Sequence, residues 1–212
     1  MNLLLKLSDL YDDEQFNDGV CIDLRSLEGT NSYCTAEAQR AIESALEPYP
    51  LSGIHWIDSG DYHYLSEILL RKASCDFALA LMDNHSDEQQ TAFGADILSC
   101  GSWVSELRRS NPHLKAYARN AECLSLPSGL PVYLSIDTDA LAPEYARTNW
   151  DQGTMSLREM EDIIAEIAGR SRIIGIDICG GLTIAKGATA EDLSINVRTR
   201  RELLAFLTDV QA

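Results

Sequence analysis

The sequence predicts an α/β protein with a mostly parallel central sheet covered by helices on both faces. Short segments rich in Val, Ile and Leu recur along the 212 residues, as expected for strands that are buried on both sides. Amphipathic segments with helical spacing lie between several of them, which is the order typical of strand–helix–strand units. No Pro-, Gly- or Ser-rich linker divides the chain, so we expect residues 1–212 to form one domain.

Seven strand candidates follow one another along the chain. They are GVCIDLR (19–25), GIHWIDSG (53–60), FALALMD (77–83), ADILSC (95–100), LKAYAR (114–119), LPVYLSIDTD (130–139) and RIIGIDICG (172–180). In open parallel sheets, ligand sites lie beyond the carboxyl ends of the strands. The residues that follow these segments are therefore the first candidates for function.

Three helices are marked by their caps and by the spacing of their apolar residues. Segment 35–49 begins at Thr35, a candidate N-cap, and has a stripe of apolar residues: Ala38, Ile42, Ala45 and Leu46. Segment 156–170 begins with a capping-box pair, Ser156 and Glu159, and Gly169 lies near its end. Segment 198–210 is the third helix.

Composition excludes some classes of partner. The formal net charge is -16 and the pI about 4.5, so the surface should repel nucleic acid and anionic membranes. No apolar run has the length of a membrane span, and the start of the chain does not resemble a signal peptide. The six cysteines have no CxxC spacing, which is typical of reduced thiols in a cytoplasmic protein.

Metal-binding residues follow two of the predicted strands. Asp83, His85 and Asp87 come after FALALM, and Asp137 and Asp139 come at the end of PVYLSI, again two residues apart. If the extended conformation continues past each strand, side chains at this spacing converge on one face. The sequence therefore predicts a metal site at this edge of the sheet.

A third contribution is expected from the segment after GIHWI. Gly60, Asp61 and His63 follow that strand and precede a helix. His63 and the two other groups together provide four carboxylates and two imidazoles, which match the charge of two divalent ions. These hard and borderline ligands favour Mn²⁺ over a metal that prefers thiolates.

The order of GDYH, DNHSD and SIDTDALAP resembles the ureohydrolases, the family of arginase, agmatinase and formimidoylglutamase, whose signatures are GGDHS, DAHxD and SxDxDxxDP. The resemblance extends from about residue 50 to the C-terminus and includes QGTMSLREM. It implies a three-layer α/β/α fold of the arginase/deacetylase type. It also implies a dinuclear manganese centre whose ligands would be His63, Asp83, His85, Asp87, Asp137 and Asp139.

By the same resemblance, Asp83 and Asp137 would bridge two Mn²⁺ ions. A hydroxide between these ions would attack a linear C–N bond of an amidine, guanidine or amide in a small-molecule substrate, and Asp87 would accept a proton. Ureohydrolases often form rings of identical subunits, so a homo-oligomer is a further expectation. Gly180 stands where family members that hydrolyse guanidines have a Glu, which argues against arginase activity proper.

Two alternatives to the dinuclear hydrolase remain open from the sequence. One is a non-catalytic ureohydrolase-like protein that retains its metals, and the other is a mononuclear zinc enzyme of the deacetylase type. Other conspicuous residues have less specific interpretations. Trp103, Trp150 and Tyr145 could line a pocket or pack in the core, and Cys179 is expected to be a buried thiol. Asp177 could hydrogen-bond a ligand residue.

Overall fold

The computed structural model describes residues 1–12, 19–90 and 97–211. Seven strands form one sheet in the order β2-β1-β4-β9-β8-β5-β7, and every neighbouring pair is parallel. The strands are β1 (Asn2–Lys6), β2 (Gly19–Asp23), β4 (Ile54–Trp56), β5 (Phe77–Met82), β7 (Leu114–Arg119), β8 (Val132–Asp137) and β9 (Ile173–Cys179). The predicted parallel sheet is confirmed.

Helices cover both faces of this sheet, so the three-layer architecture is also confirmed. The described helices are α1 (Ala36–Leu46), α2 (Leu65–Leu70), α3 (Trp103–Ser110), α4 (Leu157–Ala168) and α5 (Ala190–Gln211). One hydrophobic cluster joins α1, α2 and α3 to one face, and a second joins α4 and α5 to the other. Strand alternation separates the two clusters: in β5, Leu79 and Leu81 belong to the first, and Ala78, Ala80 and Met82 to the second.

The predicted helix starts follow from their caps. The Thr35 side chain accepts a hydrogen bond from the Ala38 backbone N–H at the start of α1. Ser156 and Glu159 form a complete capping box at the start of α4, and Gly169 is its C-cap. Each cap satisfies backbone groups that the first turn of a helix leaves unpaired. The last helix, α5, begins at Ala190, eight residues before the segment predicted for it.

Two strand assignments differ from the sequence prediction. The chain begins with a buried strand, β1, which pairs with both β2 and β4 and which the sequence reading did not include. The segment 95–100 is not a strand of the main sheet: within it, β6 (Leu98–Ser99) pairs antiparallel with β3 (Tyr33–Cys34) in a separate two-stranded sheet. Ala95 and Asp96 of that segment lie outside the described residues.

Among the described residues, no helix is both long and apolar enough to cross a membrane. All six cysteines are free thiols, as predicted, and Cys34, Cys123 and Cys179 are buried. His55 is a buried residue of β4 whose Nε2 atom lies 2.8 Å from the Leu51 carbonyl oxygen. His113 lies in the loop between α3 and β7.

Candidate metal centre

The six candidate ligands lie at the carboxyl edge of the parallel sheet. Asp83, His85 and Asp87 follow β5, while Asp137 ends the neighbouring strand β8. Asp139 lies in a 3-10 turn after β8, and His63 follows a 3-10 turn that comes after β4. Because all these strands are parallel, their carboxyl ends share one edge, and the side chains meet there.

Two groups of potential metal ligands share one carboxylate. His63, Asp83 and Asp87 form one group, and Asp83, His85 and Asp139 form the other; within each group the candidate ligand atoms lie within 4.8 Å of one another. Each carboxylate oxygen of Asp83 lies near the imidazole of a different group. Oδ2 lies 3.2 Å from Nδ1 of His63, and Oδ1 lies 3.6 Å from Nδ1 of His85. Asp83 thus belongs to both groups of potential ligands.

Asp87, Asp137 and Asp139 complete the cluster. Nδ1 of His63 lies 3.1 Å from Oδ2 of Asp87 and 3.7 Å from Oδ2 of Asp137. Nδ1 of His85 lies 2.8 Å from Oδ2 of Asp139. All four carboxylates are buried, and of the two imidazoles only that of His85 is substantially exposed. The structure therefore brings together all six residues that the sequence singled out.

The local backbone differs from the predicted continuation of the strands. The His85 backbone N–H donates to Oδ1 of Asp83 over 2.6 Å, and Asp87 has a φ of +50°, so the chain turns after β5. After β8, the Asp139 N–H donates to Oδ1 of Asp137 over 2.8 Å. The convergence is thus produced by two carboxylate-capped turns, and the expectation of strand alternation past Met82 is wrong.

Neighbouring polar groups fix the ends of the two strands. Oδ1 of Asn120 accepts from the Asp83 N–H over 3.0 Å, and its Nδ2 donates to the Asp83 carbonyl over 2.8 Å. Arg119 donates to the carbonyls of Asp83 and Asn84. The Asn84 N–H donates to Oδ1 of Asp139 over 3.0 Å, which ties the turn after β5 to the turn after β8.

Residues outside the two ligand groups form hydrogen bonds with His63 and Asp87. Nε2 of His63 lies 2.9 Å from the Ser135 hydroxyl, which in turn donates to Oδ1 of Asp177 over 2.7 Å. Asp177 therefore acts on a candidate ligand through Ser135, whereas the sequence suggested a direct bond. Nε1–H of Trp103 donates to Oδ2 of Asp87 over 2.6 Å. Trp103 is fully buried, so its packing fixes the Asp87 carboxylate.

Burial and the close approach of the carboxylates shift their pKa values. The pKa of Asp137 is raised to about 6, mainly by burial and to a smaller extent by repulsion from Asp83. Burial and the charges of Asp137 and Asp83 raise the pKa of Asp139 as well. Burial also raises the pKa of Asp87. Burial opposes ionisation of Asp83 too, but the neighbouring imidazoles of His63 and His85 hold its pKa at about 2. A cation would offset this repulsion.

A cavity of about 300 Å³ opens onto the cluster. All six candidate ligands line it. The other described lining residues carry no formal charge: Ser32, Tyr33, Gly60, Gln89, Ser99, Cys100, Gly101 and Trp150. Trp150 therefore lines a pocket, as the sequence allowed, whereas Trp103 is packed in the core. Tyr145 is not among the lining residues.

Two glycines allow this close packing. A Cβ atom on Gly60 would lie 2.9 Å from both Oδ2 of Asp137 and Cδ1 of Trp150. Gly180 has a φ of +100°, and a Cβ there would lie 2.2 Å from Oγ1 of Thr138. Gly180 does not line the cavity. Its role in this structure is to let the chain after β9 pass beside the end of β8.

Sequence reasoning missed Ser135 and one part of the cavity wall. Ser135 is the polar residue within the buried strand VYLSID, and this interruption of an apolar run was the available signal. That part of the wall consists of Ser32, Tyr33, Ser99 and Cys100, at and beside the β3–β6 pair. Two-residue strands leave no periodic pattern in a sequence, so no such signal existed for it.

Comparison with known proteins supports the fold and leaves the activity open. No protein-family model matches the chain. An uncharacterised protein of Thermotoga maritima is 25% identical over 196 residues, which are 84% of this chain and 78% of that protein.

Solved structures of ureohydrolases share the fold. Proclavaminate amidino hydrolase from Streptomyces clavuligerus superimposes with a TM-score of 0.62 at 15% identity, over 92% of this chain and 77% of that one. An arginase from Medicago truncatula gives 0.62 at 12%, over 94% and 84%. Formimidoylglutamase from Bacillus subtilis gives 0.61 at 10%, over 100% and 87%. The resemblance read from the motifs is therefore confirmed in the fold.

Proposed function

We propose that this protein is a metal-dependent hydrolase that cleaves a linear C–N bond in a small molecule, with two divalent ions, Mn²⁺ by preference, as cofactors. The observation that carries the proposal is the pair of ligand groups that share Asp83 beneath a cavity. The position of this pair, at the carboxyl edge of a sheet shared with the named ureohydrolases, gives further support.

The residues fit a pair of cations. Oδ2 of Asp83 is buried and accepts no hydrogen bond within the described parts of the chain, although Nδ1 of His63 is 3.2 Å away. A buried carboxylate oxygen without a hydrogen bond is costly unless a cation compensates it. Oxygen and imidazole ligands suit Mn²⁺.

Each ligand has a role in this proposal. His63 and Asp87 would hold one ion, His85 and Asp139 the other, and Asp83 and Asp137 would contact both. When bound, two such ions supply a water of lowered pKa and stabilise the negative charge that develops on a substrate. Asp87, which belongs to the group with His63 and Asp83, would accept a proton on its carboxylate. The hydrogen bond from Trp103 keeps the Asp87 carboxylate in that orientation.

The absence of a carboxylate at position 180 limits the types of C–N bond that the protein can cleave. The chain has no carboxylate at this position to hold a guanidinium group by charge-assisted hydrogen bonds, and Gly180 does not line the cavity. A substrate with a neutral amide group needs no such partner. We therefore expect arginase activity proper to be absent or weak.

One observation favours a second candidate, a mononuclear zinc enzyme. Cys179 forms a third potential ligand group with His63 and Asp137, and its thiol lies 3.1 Å from Oδ2 of Asp137. A thiolate ligand suits Zn²⁺ better than Mn²⁺. Burial raises the pKa of the Cys179 thiol well above its usual range, so the thiol form is favoured as long as no metal is bound.

The first experiment is to measure the metal content of the full chain by elemental analysis, after purification without chelator and again after reconstitution with Mn²⁺. About two equivalents per chain are expected, and turnover of amidines, amides and guanidines is then screened. One equivalent of zinc would favour the mononuclear candidate. Two metals without turnover of any compound would favour a non-catalytic protein.

Asp87→Asn tests the proposed proton acceptor. We expect turnover to fall by roughly 10²- to 10⁴-fold. Metal content is measured on the same sample, because loss of an ion would also reduce the rate. Asp76→Asn is the matched control, since Asp76 is an exposed carboxylate that precedes β5, at the opposite end of that strand from the ligands. It should leave turnover unchanged.

A further inference from the structure

The residues that line the cavity indicate which chemical groups the unreactive part of the ligand can have. Apart from the six candidate ligands, its described lining consists of hydroxyl, amide, thiol and aromatic side chains and two glycines. Tyr33 and Trp150 are 44% and 40% exposed. They are two of the five exposed large hydrophobic residues in the described chain, and both belong to this one cavity.

No lysine or arginine lines the cavity. All 17 of these residues lie in the part of the chain that the structure describes, because segments 13–18 and 91–96 and residue 212 contain none. Two basic residues contact segments that line the cavity, but both are already paired with other groups. Arg119 donates to the backbone carbonyls of Asp83 and Asn84, and Lys186 is paired with the buried Asp61.

The metal ligands do not provide a positive field either. Asp83, Asp87, Asp137 and Asp139 together carry the charge that balances two divalent ions, so the loaded site would have no excess positive charge for an anion. The chain as a whole has a formal net charge of -16. Such a surface lowers the local concentration of anionic ligands and slows their approach.

We propose that the substrate binds with an uncharged, flat tail against Tyr33 and Trp150, and that it has no carboxylate or phosphate group. This inference rests on the proposed function, because it takes the metal-ligand end of the cavity as the place of the reacting C–N group. Gln89, Ser32 and Ser99 offer hydrogen bonds to a neutral polar group on that tail. Tyr33 and Trp150 are thus specificity-determining residues, and an amino acid substrate is disfavoured.

The test is equilibrium binding to the Mn²⁺-reconstituted full chain by titration calorimetry. Two series of probes keep the reacting group fixed and vary the tail: benzylguanidine, butylguanidine and 4-guanidinobutanoate, and then phenylacetamide, pentanamide and glutaramate. Within at least one series, the aromatic member should bind about tenfold or more tightly than the carboxylate-bearing member. Equal or tighter binding of the carboxylate-bearing members would overturn the inference, as would failure of all six probes to bind the metal-loaded protein.

Three variants and one control variant locate the effect. Tyr33→Ala and Trp150→Ala should each weaken binding of the aromatic probe about three- to tenfold. Leu124→Ala is the control, because Leu124 is 43% exposed and does not line the cavity. Gln89→Arg adds a cation at an exposed position of the wall and should tighten binding of the carboxylate-bearing probe alone. If neither aromatic variant differs from Leu124→Ala, the tail does not lie where we propose.

Failure of this inference and failure of the proposed function are distinguishable. If the chain takes up no metal, the hydrolase proposal fails whatever the tail preference. If it takes up two metals and binds the carboxylate-bearing probes better, the hydrolase proposal remains and only the substrate class changes.

Discussion

His63 is held by Ser135, whose hydroxyl lies 2.9 Å from the Nε2 atom of the imidazole. The same hydroxyl donates its proton to Asp177, so its oxygen must accept from His63, and Nε2 carries the imidazole hydrogen. Nδ1 is then left with its lone pair facing Asp83 and Asp87. This is the tautomer that a metal-binding imidazole needs, and the chain of hydrogen bonds fixes it within the protein.

Ser135→Ala should weaken metal binding without removing a ligand. The substitution leaves Nε2 of His63 without an acceptor in a buried position, so the imidazole loses its fixed orientation. Loss of such a supporting hydrogen bond typically reduces metal affinity about 10- to 100-fold. The measurement is competition for Mn²⁺ against a chelator of known affinity.

Ser66→Ala is the control for this prediction. Its hydroxyl lies 3.3 Å from that of Ser135, so the variant removes a buried hydroxyl from the same place but leaves the link from His63 to Asp177 intact. Its affinity for Mn²⁺ should stay within about threefold of the parent. An equal loss in both variants would mean that packing around His63, and not the hydrogen bond, sets the affinity.

The carboxyl edge of the sheet was predictable, but the shape of the turns was not. Apolar runs such as FALALM mark strands buried on both faces, and the polar residues after them must then lie at one edge. Spacing alone could not distinguish an extended continuation from a turn. The structure uses a turn because the Asp83 carboxylate accepts the His85 N–H and Asp87 adopts a positive φ.

The strands that the sequence did not predict depend on tertiary contacts. β1 is an apolar run of three leucines at the start of the chain, and it becomes a strand by pairing on both sides with β2 and β4. The β3–β6 pair has two residues in each strand and joins parts of the chain more than 60 residues apart. Local propensity carries little information about pairing of this kind.

Metal binding should stabilise the protein, and Asp83→Asn should abolish that effect. Mn²⁺ at about 100 times its dissociation constant should add about 2.7 kcal/mol to the free energy of unfolding of the parent. For a chain of this size this corresponds to a melting temperature about 5–10 °C higher. In Asp83→Asn the shared ligand is lost. The measurement is thermal unfolding with chelator and with Mn²⁺.

The metal-free forms provide a second comparison for Asp83. Asp83→Asn and the parent are compared with chelator as well, so that the effect of the substitution itself on stability is subtracted from the response to Mn²⁺. Asp76→Asn should retain the full response to Mn²⁺. Retention of that response by Asp83→Asn would contradict the position of Asp83 between two cations.

Gly180→Ala should destabilise the protein more than Gly187→Ala. Both glycines have a φ near +100°, so both variants lose about 1–2 kcal/mol from backbone strain. A Cβ on Gly187 would meet nothing within 4 Å, whereas one on Gly180 would meet Thr138 and Asp137. We expect Gly180→Ala to lose about 1–3 kcal/mol beyond the control. Urea unfolding of the two variants measures the difference.

This comparison also tests whether a guanidinium-binding Glu fits at position 180. If crowding at Thr138 excludes any side chain, Gly180→Glu should be at least as destabilised as Gly180→Ala and should not gain guanidine hydrolysis. If Gly180→Ala is no less stable than Gly187→Ala, the segment after β9 can move away from β8, and a Glu could be accommodated there.

His55 should make the protein less stable as the pH falls from about 6.5 to about 4. Burial lowers the pKa of this imidazole from 6.5 to about 4, and its Nε2–H donates to the Leu51 carbonyl. Between these values the unfolded chain binds a proton that the folded chain does not, so stability is full above pH 6.5 and declines below it. The contribution of this one group is about 3 kcal/mol.

The His55 contribution is measured as the difference between the parent and His55→Gln, because the clustered carboxylates titrate in both and cancel. Gln retains a donor for Leu51 and has no titrating group. Urea unfolding at several pH values should give the variant a flatter decline between pH 6.5 and 4. Identical curves for the parent and His55→Gln would mean that the pKa of His55 is the same in the folded and the unfolded chain, against the burial observed for it.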